Sequence, residues 1–202
     1  QLSKSVIYDT TRCYRACFRG IWGRAPDDFF VAGDHGYVVH FDGREWSVQG
    51  TPTQQKLWTG ISFAPNCAYA VGDGGAILSY DGRRWVEMAN PSQASLRGIW
   101  GPHPKHLVAV GHGGTVLEYD GKLWRDHLTN FRVDLLGLWG ASPTDLYAVG
   151  RDWSVYHFDG HEWQRMKIPH SQAFDLHSVW GSAPDDVYAV GTEGTVLHFN
   201  GE

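Results

Sequence analysis

The chain has 202 residues, with 17 Lys and Arg against 22 Asp and Glu, a net charge of −5, and a marked excess of Gly (25) and Trp (10). The acidic balance without a basic stripe argues against a nucleic-acid partner, and apolar runs of only a few residues exclude a membrane-spanning helix or membrane insertion. The aromatic content excludes a disordered or collagen-like chain.

In chain order, the first predicted element is a short strand at about 4–9, around Val6, Ile7 and Tyr8. Five longer units follow, expected at about 18–50, 57–89, 96–128, 135–168 and 176–202. They are tied together by phase. Trp46, Trp85, Trp124 and Trp163 recur at one constant interval, and each follows an Asp-Gly pair. A second series, Trp22, Ser62, Trp100, Trp139 and Trp180, keeps nearly the same interval. Between the two lies a third phrase, seen at 69–72 as YAVG, at 108–111 as VAVG and at 147–150 and 188–191 as YAVG. Within each unit, aromatic and β-branched runs alternate with Gly, Pro, Asp and Asn, which predicts four short strands and no helix. Asp-Gly is the expected hairpin turn, because Gly tolerates positive φ.

Four antiparallel strands repeated about every 40 residues predict an all-β fold, a five-bladed β-propeller of four-stranded antiparallel blades. The whole chain, 1–202, is read as a single domain. The fifth unit stops at Asn200 and Gly201, on the turn where its fourth strand should begin, while one repeat interval back from Trp46 lies Ile7. The last blade is therefore expected to be closed by the N-terminal strand, which would pair edges otherwise open to other chains. The rival expectation is an arc of a six- or seven-bladed ring.

Residues 180–191, WGSAPDDVYAVG, and 194–201, GTVLHFNG, carry a family likeness. They resemble WD40-like and Asp-box-like propeller repeats of a bacterial type. The resemblance covers nearly the whole chain and implies the fold. It implies no activity, since the Ser or Thr that opens an Asp-box is missing.

Eight Trp residues fall in the two series and are expected to pack between blades. Trp58 and Trp153 break phase. Trp153 stands with Arg151 and Asp152 where other units have a turn Gly at Gly75, Gly114 or Gly194. The loops between blades, at 10–16, 50–56, 89–95, 127–134 and 170–175, vary, whereas the Asp-Gly turns of the opposite face repeat. Variation of this kind is where recognition usually resides. The candidate binding residues are accordingly Trp153, Arg151, Asp152, Phe131, Arg132, Tyr14, Arg15, Arg97, Phe174 and His112.

No chemistry-bearing motif competes with recognition. The segments expected to be innermost contain no Asp or Glu, so a two-carboxylate glycosidase site is not expected. No triad, phosphate loop or metal-ligand spacing is present. The sequence thus predicts no enzyme, no cofactor and no metal. A protein partner held by the irregular face is the expectation, and a carbohydrate-binding, lectin-like propeller is the alternative. Cys13, Cys17 and Cys67 are too few for a disulfide framework, whether or not Cys13 and Cys17 pair. No secretory leader is visible. Compartment stays open, with a secreted or periplasmic setting preferred.

Overall fold

The computed structural model describes residues 17–168 and 174–201. It contains five antiparallel sheets, each a simple meander. The first holds β1 (Phe18–Ala25), β2 (Asp28–Gly33), β3 (Val38–Phe41) and β4 (Trp46–Gln49). The second holds β5 (Leu57–Ala64), β6 (Cys67–Gly72), β7 (Ile77–Tyr80) and β8 (Trp85–Glu87). The third holds β9 (Leu96–His103), β10 (His106–Gly111), β11 (Val116–Tyr119) and β12 (Trp124–Asp126). The fourth holds β13 (Leu135–Ser142), β14 (Asp145–Gly150), β15 (Ser154–Phe158) and β16 (Trp163–Arg165). The fifth has three strands among the described residues, β17 (Leu176–Ala183), β18 (Asp186–Gly191) and β19 (Val196–Phe199). The strand expected at 4–9 lies outside the described residues.

The first strand of every sheet faces one central cavity of about 460 Å³. Those strands succeed one another in contact, β1 on β5, β5 on β9, β9 on β13 and β13 on β17. The sheets therefore stand radially around an axis, and the core lies between them rather than beneath any one.

Alternation along each strand explains how. A pleated strand sends successive side chains to opposite faces, so each sheet has two apolar faces. Trp22 and Phe30 of the first sheet close on Leu57, Ala70, Leu78 and Trp85 of the second. Tyr69, Val71 and Ile77 on the far side of the second sheet then meet Leu96, Leu107, Leu117 and Trp124 of the third. The pattern recurs at the next two interfaces. Trp22, Trp100 and Trp139 each lie against a glycine of the following sheet, Gly60, Gly140 and Gly181, where a Cβ would meet the indole at 2.4, 3.0 and 2.6 Å. Tyr69 and Tyr147 add a polar tie, each donating its hydroxyl to a carbonyl of the next sheet's turn, Pro104 and Pro184. Burial pushes both phenols up to about 12.

Two of the eight series Trp residues depart from the expectation: among the described residues Trp46 meets only Phe29 and Phe41 of its own sheet, and Trp180 joins no cluster between sheets. Trp180 is 60% exposed, because it sits on the outward face of the fifth sheet, against which no described sheet packs. The Asp-Gly turns behave as predicted. Gly43, Gly82, Gly121 and Gly160 have φ near +90°, and Asp42, Asp81, Asp120 and Asp159 each accept two backbone amides from the residues two and three places on.

Candidate functional site at the channel mouth

The inner strands all begin with the same irregularity. In each, the pairing slips by one residue between the first and third positions, at Phe18/Gly20, Leu57/Thr59, Leu96/Gly98, Leu135/Gly137 and Leu176/Ser178. The residue left over is Arg19, Trp58, Arg97, Leu136 or His177. A β-bulge re-aims its extra side chain, and all five of these residues line the central cavity. Five equivalent backbone positions thus form a ring at the cavity mouth, and the chain fills them with five chemically different groups.

Directly above lies a second ring, the first residue of the turn between second and third strands: Asp34, Asp73, His112, Arg151 and Thr192. These turns are pinned to the loop that enters the same sheet. Asp34 N–H donates to the Cys17 carbonyl, Asp73 to Lys56, His112 to Ser95, Arg151 to Asp134 and Thr192 to Asp175. The loops and turns expected to share one face do share it.

Trp58 is the centre of the mouth. Its indole N–H donates to Asp73 Oδ1 at 2.7 Å. Three cations surround its ring: the Arg97 guanidinium at 3.6 Å from the ring centroid, Lys56 Nζ at 5.0 Å and the Arg19 guanidinium at 5.6 Å. Each is within reach of the negative ring face, an attraction that strengthens as water is excluded. Asp34 is the shared counter-ion of two of them, 3.5 Å from both Arg19 Nε and Lys56 Nζ. Desolvation opposes ionisation of Asp34, yet the Cys17 amide, Lys56 and Arg19 together hold its carboxyl below the ordinary range.

Arg97 is different. Its Nε–H donates to His112 Nε2 at 3.1 Å, which requires that imidazole nitrogen to carry its lone pair and not a proton. Among the described residues no carboxylate lies in ion-pair range of Arg97, and its two terminal nitrogens have no hydrogen-bond acceptor. Burial lowers its pKa, with the more distant Asp73 and Asp134 acting against that shift.

The residues singled out by phase lie on the adjoining side. Arg151 bridges Asp134 at 3.2 Å and Asp175 at 3.5 Å, and Asp175 also accepts the Asp152 amide. Asp152 and Trp153 have φ of 53° and 54°, in the left-handed region; the Trp153 position is Gly36, Gly75, Gly114 or Gly194 in the other turns, whereas the Asp152 position is His35 in the first and Glu193 in the fifth. Trp153 is half-buried and folded over the fourth and fifth sheets. Its ring meets Phe174 edge-on at 5.6 Å, and it packs against the buried cluster that holds Tyr147, Val149, Val155 and Leu176. Phe131 is 6% exposed and stacked on Tyr156 at 3.9 Å, so it offers no surface to a partner. Arg132 is exposed beside it. Tyr14 and Arg15 lie outside the described residues. Of the predicted residues, the structure therefore brings Arg97 and His112 to the mouth, with Arg151 and Asp152 at its rim.

Trp58, which the sequence marks only as out of phase, is absent from the predicted binding residues, as are Arg19 and Lys56. A signal existed: Arg19, Trp58, Arg97 and Leu136 follow one another at the same constant interval as the Trp series. Their differing chemistry hid the shared position. No group of three or more metal-ligating side chains occurs among the described residues, and the cavity lining contains no Asp or Glu. Cys17 and Cys67 are free thiols, with the Cys67 thiol pushed up by burial. No described helix is long and apolar enough to cross a membrane.

No family model matches the chain, and no curated protein does. Solved structures do match. Similar to this chain are "YCF48 bound to D1 peptide", at 15% identity and a TM-score of 0.58 over 98% of this chain and 82% of that one, and YCF48 from Cyanidioschyzon merolae, at 14% identity and a TM-score of 0.51 over 92% and 80%. The extracellular domain of the putative one-component system BT4673 from B. thetaiotaomicron matches at 13% identity and a TM-score of 0.68, over 89% of this chain and 27% of that longer one. The fold is that of a β-propeller. Identities this low carry the architecture and leave function to the chain's own side chains.

Proposed function

We propose that this chain is a non-enzymatic recognition module that binds a protein partner by taking a peptide segment at the channel mouth. The carrying observation is the bulge ring, where Trp58 and three cations are gathered on the irregular face while the opposite face carries uniform turns. Large amphipathic side chains and Arg are the groups that dominate binding energy at protein interfaces. The solved structure of similar fold that holds a D1 peptide supports peptide binding as a use of this architecture. The lectin alternative has less support. Sugar stacking at the mouth needs an open indole face there, whereas Trp58 is covered by Arg97 and Trp153 is packed on Phe174.

Selection from a displayed peptide library tests the proposal. Enriched peptides should lose about tenfold or more in affinity for Trp58→Ala and none for Arg83→Ala in the Asp-Gly turn of the far face. Peptides that bind Trp58→Ala as well as the parent would remove the mouth as the site.

A further inference from the structure

We infer that the channel mouth holds a pocket for one carboxylate, received by the Arg97 guanidinium. This rests on the peptide-recognition reading and gives it a ligand class, a carboxylate carried on a peptide with an apolar neighbour.

Arg97 lacks what the neighbouring cations have. Arg19 and Lys56 share Asp34, and Arg151 has Asp134 and Asp175. Among the described residues, Arg97 alone of these four cations has no carboxylate in range, although it is half-buried and lines the cavity. Its two terminal nitrogens stay open to the cavity rather than sealed in the core, so an arriving acceptor can reach both. Its orientation is already fixed from two sides: the ring of Trp58 supports one planar face, and His112 takes the Nε–H. The two terminal nitrogens remain, forming the edge of a planar fork that matches a carboxylate in bidentate geometry. Because stack and hydrogen bond hold the fork before the ligand comes, little side-chain entropy remains to be lost on binding.

The surroundings select among anions. Asp34, Asp73, Asp134 and Asp175 stand around the mouth against Arg19, Lys56, Arg97 and Arg151, so the mouth has no surplus of positive charge, within a chain of net charge −5. Such a field suits a single negative charge and disfavours a phosphate dianion or a polyanion. On the neighbouring inner strand, Leu136 and Leu138 supply an apolar wall. That wall suits the aliphatic or aromatic body next to a peptide carboxylate and offers nothing to a second phosphate oxygen. The carboxylate can come from a peptide C-terminus or from an Asp or Glu side chain, and the chemistry at Arg97 is the same.

The test uses the whole chain and small probes. The Nε–Hε resonance of Arg97, assigned by its disappearance in Arg97→Gln, is followed by NMR during titration with sodium benzoate, benzamide or inorganic phosphate at constant ionic strength. Benzoate should move it saturably. Benzamide should not, and phosphate should compete at least about tenfold more weakly than benzoate. By calorimetry, benzoate heat should vanish in Arg97→Gln and weaken in Arg97→Lys, which keeps charge but loses the fork. Near-UV circular dichroism unchanged from the parent establishes that both variants are folded. Equal response to benzamide, stronger binding of phosphate, or unaltered benzoate binding by folded Arg97→Gln would overturn the pocket.

Library-selected peptides then separate the two sources. Loss of binding on C-terminal amidation assigns the terminus, loss on Glu→Gln or Asp→Asn in the peptide assigns a side chain, and either supports the inference. Peptides that need Trp58 but survive both changes would overturn the carboxylate pocket and leave peptide recognition standing. Benzoate binding without any Trp58-dependent peptide would do the reverse.

Discussion

Trp22 and Trp180 occupy the same place in their sheets and meet opposite fates. Each sits mid-way along an inner strand and pairs with an aromatic on the second strand, Trp22 with Phe30 and Trp180 with Tyr188. Trp22 is 8% exposed, enclosed by Phe30 and by Trp85 of the next sheet at 6.5 Å, while Trp180 is 60% exposed. Val190 and Val196 beside it are exposed as well. One local sequence therefore yields core in one sheet and surface in another, because burial here is decided between sheets and not within them.

The difference between the two indoles is measurable as stability. Trp22→Ala should cost about 3–5 kcal/mol, as expected for truncating a buried indole, measured as a shift in the urea midpoint. Trp153→Gly comes next. It restores the glycine that other turns use and relieves roughly 1 kcal/mol of left-handed strain, yet removes the packing on Phe174 and on the cluster between the fourth and fifth sheets, for a net loss of about 2 kcal/mol. A gain in stability would mean that the indole is not folded onto the fifth sheet.

A smaller effect separates the first four Asp-Gly turns from the fifth, where Asn200 takes the Asp position. Backbone amides hold Asp42, Asp81, Asp120 and Asp159 below the ordinary value of 3.8. A carboxylate whose pKa is depressed on folding stabilises above its unfolded pKa and ceases to do so as pH falls through its folded one. Stability should therefore stay level down to about pH 5 and decline below about pH 4. Asp81→Asn should soften that decline, and a parent curve flat through about pH 3 would contradict it. The smallest effect belongs to Trp180→Ala, expected within about 0.5 kcal/mol of the parent. A loss as large as that of Trp22→Ala would show that the fifth sheet's outward face is covered in solution.

The mouth was harder to anticipate than the scaffold for a definite reason. Repetition exposes whatever must be identical in every blade, such as the turn glycines and the Trp residues facing the next sheet. The bulge position must differ to be useful, so Arg19, Trp58, Arg97, Leu136 and His177 share geometry without sharing chemistry. Phe131 shows the converse. An aromatic in an irregular loop looked like a contact residue, but stacking on Tyr156 buries it.

The excess of Trp and Gly, once its constant period is seen, determined strands, turns and radial architecture, since each depends on period-2 alternation and positive φ that are local to the chain. Only the tertiary structure decided which Trp is core, which Arg lacks a counter-ion among the described residues, and that Trp58 rather than Trp153 lines the central cavity. Those properties depend on what the neighbouring sheet brings within a few ångströms, and no single strand carries that information.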